Sequence, residues 1–208
     1  MIAVVDYGMG NLRSVRTGIE RAGGEVRFAR SAADLESCSG LVLPGVGAFG
    51  KGMENLRRQG LVDPLRSWAE SARPMLSICL GMQLLFDRSM EQGVHDGLGI
   101  MAGKVERFGE GLKVPQLGWN SIIRSAAADQ SPYSSVLPEG TYFYFAHSYF
   151  VAPEDESVVV TSTEYGRTYA SVVGRGGLIA TQFHPEKSGP DGLCFLERFV
   201  ELTRSASC

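Results

Sequence analysis

Residues 75–83 read Met75-Leu76-Ser77-Ile78-Cys79-Leu80-Gly81-Met82-Gln83, and this stretch decides the fold. A short apolar run that predicts a buried strand breaks at Cys79 into residues 80–86, which predict a helix. The tight corner between them needs small residues two positions before and after the cysteine, and Ser77 and Gly81 fill those positions. A thiol at such a corner is expected to be exposed at the positive end of a helix dipole, which favours the thiolate. Elsewhere in proteins, a cysteine is more often a buried, inert hydrophobe.

The chain before this corner alternates between strand-like and helix-like patterns. Apolar runs at 2–5, 25–29 and 41–44 predict strands, and the stretches at 12–22 and after Gly50 predict helices. Strands that alternate with helices predict a mostly parallel sheet covered by helices on both faces. The fold class predicted is therefore three-layer α/β.

The second half of the chain adds an antiparallel portion to this sheet. Period-two patterning predicts short antiparallel strands at 103–108, 142–146, 157–161 and 169–173. An apolar strand follows at 178–183, and an amphipathic helix at 192–202 closes the chain. Residues 125–135 are predicted to form a surface loop.

His184 and Glu186 follow the strand at 178–183 and lie two residues apart. In an extended chain, residues i and i+2 point to the same side, and Pro185 restricts the backbone between them. An imidazole oriented by a carboxylate is what a thiol nucleophile needs for proton transfer. A His before Pro is also common as a plain surface residue that ends a strand. The catalytic interpretation of His184 and Glu186 therefore depends on the presence of Cys79.

A glycine-containing loop, Pro44-Gly45-Val46-Gly47, follows the strand that should neighbour the cysteine strand. The N–H of Leu80, the residue after the cysteine, is one predicted oxyanion donor, and the N–H of Val46 or Gly47 is the second. A plain turn is the alternative. A phosphate loop fits poorly, because the Gly-Lys-Ser/Thr ending of that motif is missing.

Composition limits the other possibilities. The chain of 208 residues, 44% of them hydrophobic, predicts one domain over 1–208. A net charge of −3 gives no reason to expect nucleic acid. The four cysteines, Cys38, Cys79, Cys194 and Cys208, lack zinc-site spacing, so neither a metal nor another cofactor is expected. No secretory signal or membrane-length segment is visible, which predicts a cytoplasmic protein that does not enter a membrane.

With these residues in place, the chain resembles the class I (triad) glutamine amidotransferases. Their corner typically reads Gly-x-Cys-x-Gly-x-Gln, and their His and Glu are separated by one residue. Residues 77–83 and 184–186 fit this pattern, except that Ser77 stands where glycine is usual. The resemblance implies the catalytic triad Cys79, His184 and Glu186, and a substrate contact for Gln83. It also implies the fold of that family.

Within the family, five segments resemble the glutaminase subunits of imidazole glycerol phosphate synthase. They are 6–12, 44–49, 115–120, 145–149 and 182–188. The resemblance implies hydrolysis of L-glutamine and delivery of the ammonia to a (β/α)₈ cyclase (HisF-type) subunit, as a heterodimer in histidine biosynthesis. It also implies a partner face, formed by Trp119, Asn120, His147, Tyr149 and Lys187.

Three alternatives to this assignment remain open on the sequence. The first is the glutaminase subunit of pyridoxal phosphate synthase, whose corresponding loop usually reads Pro-Gly-Gly-Glu-Ser-Thr, unlike residues 44–49. The second is a catalytically silent regulatory module of the same fold, suggested by Ser77. The third is a γ-glutamyl peptide hydrolase, which would use the same triad without a partner.

Overall fold

The structure, a computed structural model, describes residues 1–205, and Cys208 lies outside them. Strands β1 to β14 are Ile2–Val5, Val26–Ala29, Gly40–Gly45, Met75–Cys79, Phe86–Ser89, His95–Asp96, Met101–Arg107, Gln116–Ser121, Ile123–Arg124, Tyr142–His147, Tyr149–Pro153, Val159–Glu164, Thr168–Arg175 and Leu178–Thr181. Helices α1 to α5 are Leu12–Arg21, Phe49–Arg58, Val62–Glu70, Leu80–Leu84 and Gly189–Ser205.

An eight-stranded sheet forms the centre of the fold, in the order β2-β1-β3-β4-β14-β13-β12-β9. The first five of these strands are parallel, and the last three continue the sheet in antiparallel pairing. The predicted α/β class, with a mostly parallel sheet and an added antiparallel portion, is therefore confirmed. Strand β14 is the last strand within residues 1–205, yet it lies in the middle of the sheet beside β4.

Helices cover both faces of this sheet and bury two apolar cores. Side chains from α2 and α3, such as Leu56 and Leu65, pack on one face. Side chains from α1 and α5, such as Ile19 and Phe199, pack on the other. These residues recur at helical spacing, so one stripe of each helix is apolar and faces the sheet. None of the helices within residues 1–205 is long and apolar enough to cross a membrane.

Two smaller sheets lie beside the main one. Strand β8 pairs with β10, and a second sheet has the order β11-β7-β5-β6. Strand β7 pairs antiparallel with β11 but parallel with β5, so the purely antiparallel prediction for the second half was wrong at this point. Strands β5, β6, β8, β9 and β11 were not predicted as strands.

The helix after Cys79 is shorter than predicted. It ends at Leu84, whereas the sequence predicted a helix to Phe86. The reason is that the backbone carbonyls of Leu84 and Leu85 accept hydrogen bonds from the N–H groups of Leu98 and Ile100, at 2.8 Å each. These long-range bonds draw the chain into strand β5. The stretch after Gly50 likewise forms two helices, α2 and α3, instead of one.

Candidate active site

Cys79 lies at the corner where β4 ends and α4 begins. Its backbone has φ +56° and ψ −109°, a conformation that costs a non-glycine residue roughly 1–3 kcal/mol. Such strain persists only where the surroundings impose it, which is typical of functional sites. The side chain is only 5% exposed, so the prediction of an exposed thiol was wrong.

The two small residues that flank Cys79 differ in how strictly they are required. A Cβ atom at Gly81 would lie 1.9 Å from the backbone oxygen of Leu43, so the corner has no room for a side chain there. Ser77, by contrast, is fully buried within β4, and its Oγ has no hydrogen-bond partner. The strand therefore accommodates a side chain two residues before the cysteine, at the position where the family usually has glycine.

His184 and Glu186 form a buried pair directly after β14. The His184 Nδ1 atom lies 2.9 Å from Glu186 Oε1, and the side chains are 3% and 2% exposed. Residues Pro185–Lys187 form a 3₁₀ turn, so the pair does not come from an extended chain as predicted. Because β14 is parallel to β4, with Ala180 beside Ser77 and Thr181 beside Ile78, both strands deliver their side chains to the same edge.

The charge state of His184 follows from these neighbours. Burial lowers its pKa, but hydrogen bonds to Cys79 and Glu186 and the negative charge of both groups outweigh burial and raise the pKa to about 10. The imidazole therefore carries a proton at neutral pH. A protonated His beside a sulfur nucleophile and a carboxylate is equipped to act as a general acid.

A cavity of about 310 Å³ opens beside the corner. Its lining includes Val46, Gly47, Cys79, Leu80, Gln83 and Glu91. A larger groove of about 670 Å³ lies at the opposite end of the sheet, around Pro74 and Gly177, and none of the triad lines it. Across residues 1–205, no group of three or more His, Cys, Asp or Glu side chains is placed to hold a metal ion.

The loop at 44–47 forms one wall of this cavity. Tyr7 is fully buried and donates its hydroxyl to the carbonyl of Pro44, at 2.8 Å, which anchors the base of the loop. Burial, together with the charge of Cys79, raises the pKa of Tyr7, so that the donor stays protonated. Beyond this anchor, Val46 is exposed and Gly47 has φ +101°, which favours glycine. Val46, Gly47 and Leu80, the residues predicted to supply the oxyanion donors, thus border one cavity.

Gln83 contacts protein groups in the cavity wall. Its Nε2 atom donates to the carbonyl of Tyr149, at 2.8 Å, and to Oε1 of Gln182, at 3.1 Å. Gln182 in turn places its Nε2 atom 3.7 Å from the Cys79 sulfur. The sequence reasoning did not assign a role to Gln182. The signal available was its position in the segment that carries His184.

His147 lies inside the protein, although the resemblance placed it on a partner face. Its side chain is 5% exposed and lines the cavity, with Nδ1 2.8 Å from the carbonyl of Tyr149 and Nε2 3.3 Å from the Tyr169 hydroxyl. Burial chiefly lowers the pKa of His147, to about 4, and the nearby charge of His184 acts in the same direction. His147 is therefore neutral at pH 7.

The exposed face of the β8–β10 sheet carries a cluster of apolar and aromatic side chains. We call it the aromatic face, and it consists of Leu117, Trp119, Tyr142 and Tyr144, with Lys187 at its border. Trp119 is 55% exposed and meets Tyr144 edge to face, while Lys187 Nζ lies 6.0 Å from the Tyr144 ring. Of the five residues predicted for the partner face, only Trp119 and Lys187 are exposed here.

The other two residues predicted for the partner face, Asn120 and Tyr149, are only partly exposed. Asn120 is half-buried and donates to the carbonyl of Glu164, at 2.9 Å. Tyr149 is half-buried in the cavity wall. Both therefore make contacts within the protein.

The comparison with protein families agrees with this geometry. The family model described as glutamine amidotransferase class-I matches residues 3–202. The chain belongs to the class I glutamine amidotransferase family. Within that family it is similar to imidazole glycerol phosphate synthase subunits HisH, so the predicted resemblance is confirmed.

Individual relatives are similar over nearly their whole length. The HisH subunit of Rhodopirellula baltica is 46% identical over 203 residues, which cover 96% of this chain and 97% of the relative. That of Syntrophotalea carbinolica is 48% identical and covers 97% and 100%. Among solved structures, a glutamine amidotransferase (TM-score 0.75, 21% identity, 98% and 100% covered) and PurLQS from Thermotoga maritima (0.77, 19%, 96% and 97%) share the fold.

Proposed function

We propose that this chain hydrolyses L-glutamine to glutamate and ammonia through a thioester on Cys79. The observation that carries the proposal is the convergence of the strained Cys79 corner, which lines the cavity, with the protonated His184 and its partner Glu186. A nucleophile, a general acid and the group that orients the acid are the parts that acyl transfer from an amide needs. Membership of the class I glutamine amidotransferases supports the same reaction.

The first half of the reaction breaks the amide bond. The Cys79 sulfur attacks the carboxamide carbon, and the developing oxyanion is held by the N–H of Leu80 and by that of Val46 or Gly47. Each such donor typically contributes about 3–4 kcal/mol to the transition state. As the carbon–nitrogen bond breaks, His184 gives its proton to the departing nitrogen, which leaves as ammonia.

The second half regenerates the enzyme. His184, now neutral, takes a proton from a water molecule that attacks the thioester carbonyl, and the sulfur leaves as glutamate forms. Glu186 Oε1 accepts the hydrogen bond from Nδ1 throughout, which keeps Nε2 as the atom that exchanges protons. No cofactor is needed for either half.

Substrate binding is assigned to the cavity beside Cys79. Gln83 was predicted to contact the amino-acid end of glutamine, and it remains a candidate because it lines the cavity. Since its Nε2 is held by Tyr149 and Gln182, its contribution would come from its oxygen. Glu91 supplies a carboxylate to the same wall, which suits the α-ammonium group of an amino acid.

We further propose that the ammonia passes to a (β/α)₈ cyclase subunit, in a heterodimer that makes imidazole glycerol phosphate in the cytoplasm. The HisH relatives are named as subunits of that synthase. The aromatic face supports docking, because exposed Trp and Tyr side chains are enriched in the cores of protein interfaces. This face also lies close to the triad, since the backbone carbonyl of Tyr144 accepts the His184 N–H at 2.9 Å.

The reaction is tested by replacing the nucleophile. We expect Cys79→Ala, assayed with the cyclase present, to abolish glutamate release while added ammonium still supports the cyclase. His184→Ala should lower the rate by about 10²–10⁴-fold, the usual contribution of acid–base catalysis. Cys194→Ala, at an exposed cysteine on α5, is the matched control and should keep full activity. Retained glutamate release in Cys79→Ala would refute the assignment.

The docking surface is tested separately by calorimetric titration with the cyclase. Trp119→Ala should weaken binding by about 2 kcal/mol or more, as expected for a central aromatic residue. Val94→Ser, at a residue 64% exposed but outside the aromatic face, serves as control. Equal affinities for wild type and Trp119→Ala would remove this face from the interface.

Strong stimulation of glutamate release by the cyclase would also separate this enzyme from a stand-alone γ-glutamyl hydrolase.

A further inference from the structure

Two buried glutamine side chains form a chain of hydrogen bonds that ends at the Cys79 sulfur. This series of hydrogen bonds starts at the carbonyl of Tyr149 and continues through the Gln83 amide to the Gln182 amide. The last bond joins Gln182 Nε2 to the Cys79 Sγ, at 3.7 Å. Gln83 is 5% exposed and Gln182 is not exposed at all. The interior of a protein holds such amides only where their hydrogen bonds fix them, so the arrangement is a rigid one.

The direction of each bond in this chain is set by the backbone carbonyl at its start. A carbonyl oxygen can only accept, so the Gln83 side chain must turn its Nε2 toward Tyr149. The same Nε2 also donates to Gln182, which therefore must present Oε1 to Gln83 and Nε2 to the sulfur. The order of donors and acceptors leaves one outcome, an N–H group aimed at Cys79.

We propose that Gln182 is a further catalytic residue, which donates a hydrogen bond to the Cys79 sulfur and stabilises its negative charge before glutamine binds. This rests on the proposed role of Cys79 as nucleophile. An N–H donor binds an anion more strongly than a neutral acceptor, and it therefore favours the thiolate over the thiol. Cys79 is 5% exposed, so little water competes with Gln182 as a donor to the sulfur.

The contacts of the sulfur show why this donor matters. His184 supplies one hydrogen bond and a positive charge, but it must release its proton to the leaving nitrogen during the reaction. Gln182 keeps its protons at every pH of interest, so its bond persists while His184 changes charge. The other neighbour of the sulfur, the carbonyl of Ala146 at 4.0 Å, offers only an acceptor and cannot stabilise an anion.

The experiment measures how fast iodoacetamide alkylates Cys79 as a function of pH. The Cys79 peptide is followed by mass spectrometry, so that the exposed Cys194 does not obscure the result. In Gln182→Met, which removes the donor and adds no charge, we expect alkylation at a pH below the midpoint to slow by about tenfold, as for loss of a hydrogen bond to a charged group. The pH midpoint should move upward by about one unit to match.

Two comparisons keep this result interpretable. Gln182→Glu has nearly the same shape but replaces the donor with a negative charge. The pH midpoint of Cys79 alkylation should therefore move further upward in this variant. Gln59→Met, at the end of α2 and outside the cavity, should leave both midpoint and rate unchanged. A merely structural role for Gln182 would lower the temperature of unfolding and leave the alkylation midpoint where it was, and that outcome would overturn the proposal.

If the Gln182 variants do not fold, Gln83→Leu provides the same test without touching the sulfur contact. Loss of the Gln83 donor lets the Gln182 amide turn, so a smaller upward movement of the midpoint is expected. An unchanged midpoint in this variant would also overturn the proposal. Alkylation requires neither glutamine nor a cyclase, so failure of the proposed function appears separately, as absent glutamate release in the wild-type protein.

Discussion

Gly81→Ala tests whether the corner at Cys79 is set by steric crowding. The added methyl group would be placed 1.9 Å from the carbonyl oxygen of Leu43 and 2.9 Å from its carbonyl carbon. Real Cβ contacts are essentially never under 3.0 Å, so α4 and β3 must separate by about 1 Å. Leu43 pairs with Ser77 in the sheet, and a shift there displaces the strand that carries the proposed nucleophile.

The expected magnitude follows from this displacement. Overpacking of a well-packed site costs about 1–3 kcal/mol of the free energy of unfolding. Misplacement of a reacting group by about 1 Å lowers the rate by about 10²-fold. We therefore expect Gly81→Ala to lose about 10²-fold in kcat for glutamate release, while it remains folded at 25 °C because the loss is smaller than the stability of an average domain.

The matched control is Gly52→Ala, at a buried helical glycine in α2. A Cβ atom there would meet the methyl groups of Leu84 at 3.4 Å, an ordinary contact. Alanine also favours helix over glycine by about 0.8–1 kcal/mol, so this variant should be as stable as the wild type or more so. Glutamate release is measured by a coupled dehydrogenase assay, and stability by urea unfolding. Full activity in Gly81→Ala would refute the steric reasoning.

Three more predictions concern residues around the triad. In Gly18→Ala, the new methyl group would lie 3.1 Å from the Cβ of Glu186, whose Oε2 has no partner to hold it, so kcat should fall about three- to tenfold with little change in KM. Ser77→Ala removes a buried hydroxyl without a partner and should raise the free energy of unfolding by about 1 kcal/mol in urea titrations, and a decrease would contradict this. His147 has a pKa of about 4 in the folded protein against 6.5 ordinarily, so its stabilising effect is complete above pH 6.5 and is lost as the pH falls toward 4. Between pH 7 and 5 the wild type should therefore lose about 2 kcal/mol more than His147→Gln in urea unfolding, and equal losses would rule out this source of acid sensitivity.

Local sequence patterns were sufficient to predict the class of fold and to single out the residues that we propose as catalytic. The corner at Cys79 and the His184–Glu186 pair are encoded within a few residues each, and alternation of strands and helices predicts a parallel sheet. The burial of Cys79 could not be predicted from the local sequence. It depends on residues such as Ala146, which pack against the sulfur from far along the chain.

The direction in which side chains point was the second feature that the sequence could not predict. The segment 145–149 was noticed as a motif, but its alternation places His147 inside and leaves Tyr144 and Ala146 more exposed. Whether such a residue serves a partner face or a cavity depends on which strand lies beside it. Gln182 was missed for a similar reason, because its contact with Cys79 exists only when β14 lies next to β4.

The central place of β14 has a consequence for how the protein is made. Strand β4 is synthesised about one hundred residues before β14, its neighbour on one side. Until Leu178–Thr181 emerges from the ribosome, the edge of β4 that will face β14 has no parallel partner. Pairing between such distant segments raises the contact order of the fold, which slows folding. His184 arrives directly after this strand. A growing chain therefore carries the Cys79 thiol without its proposed acid, and the proposed release of ammonia begins only after the segment that follows β14 has left the ribosome.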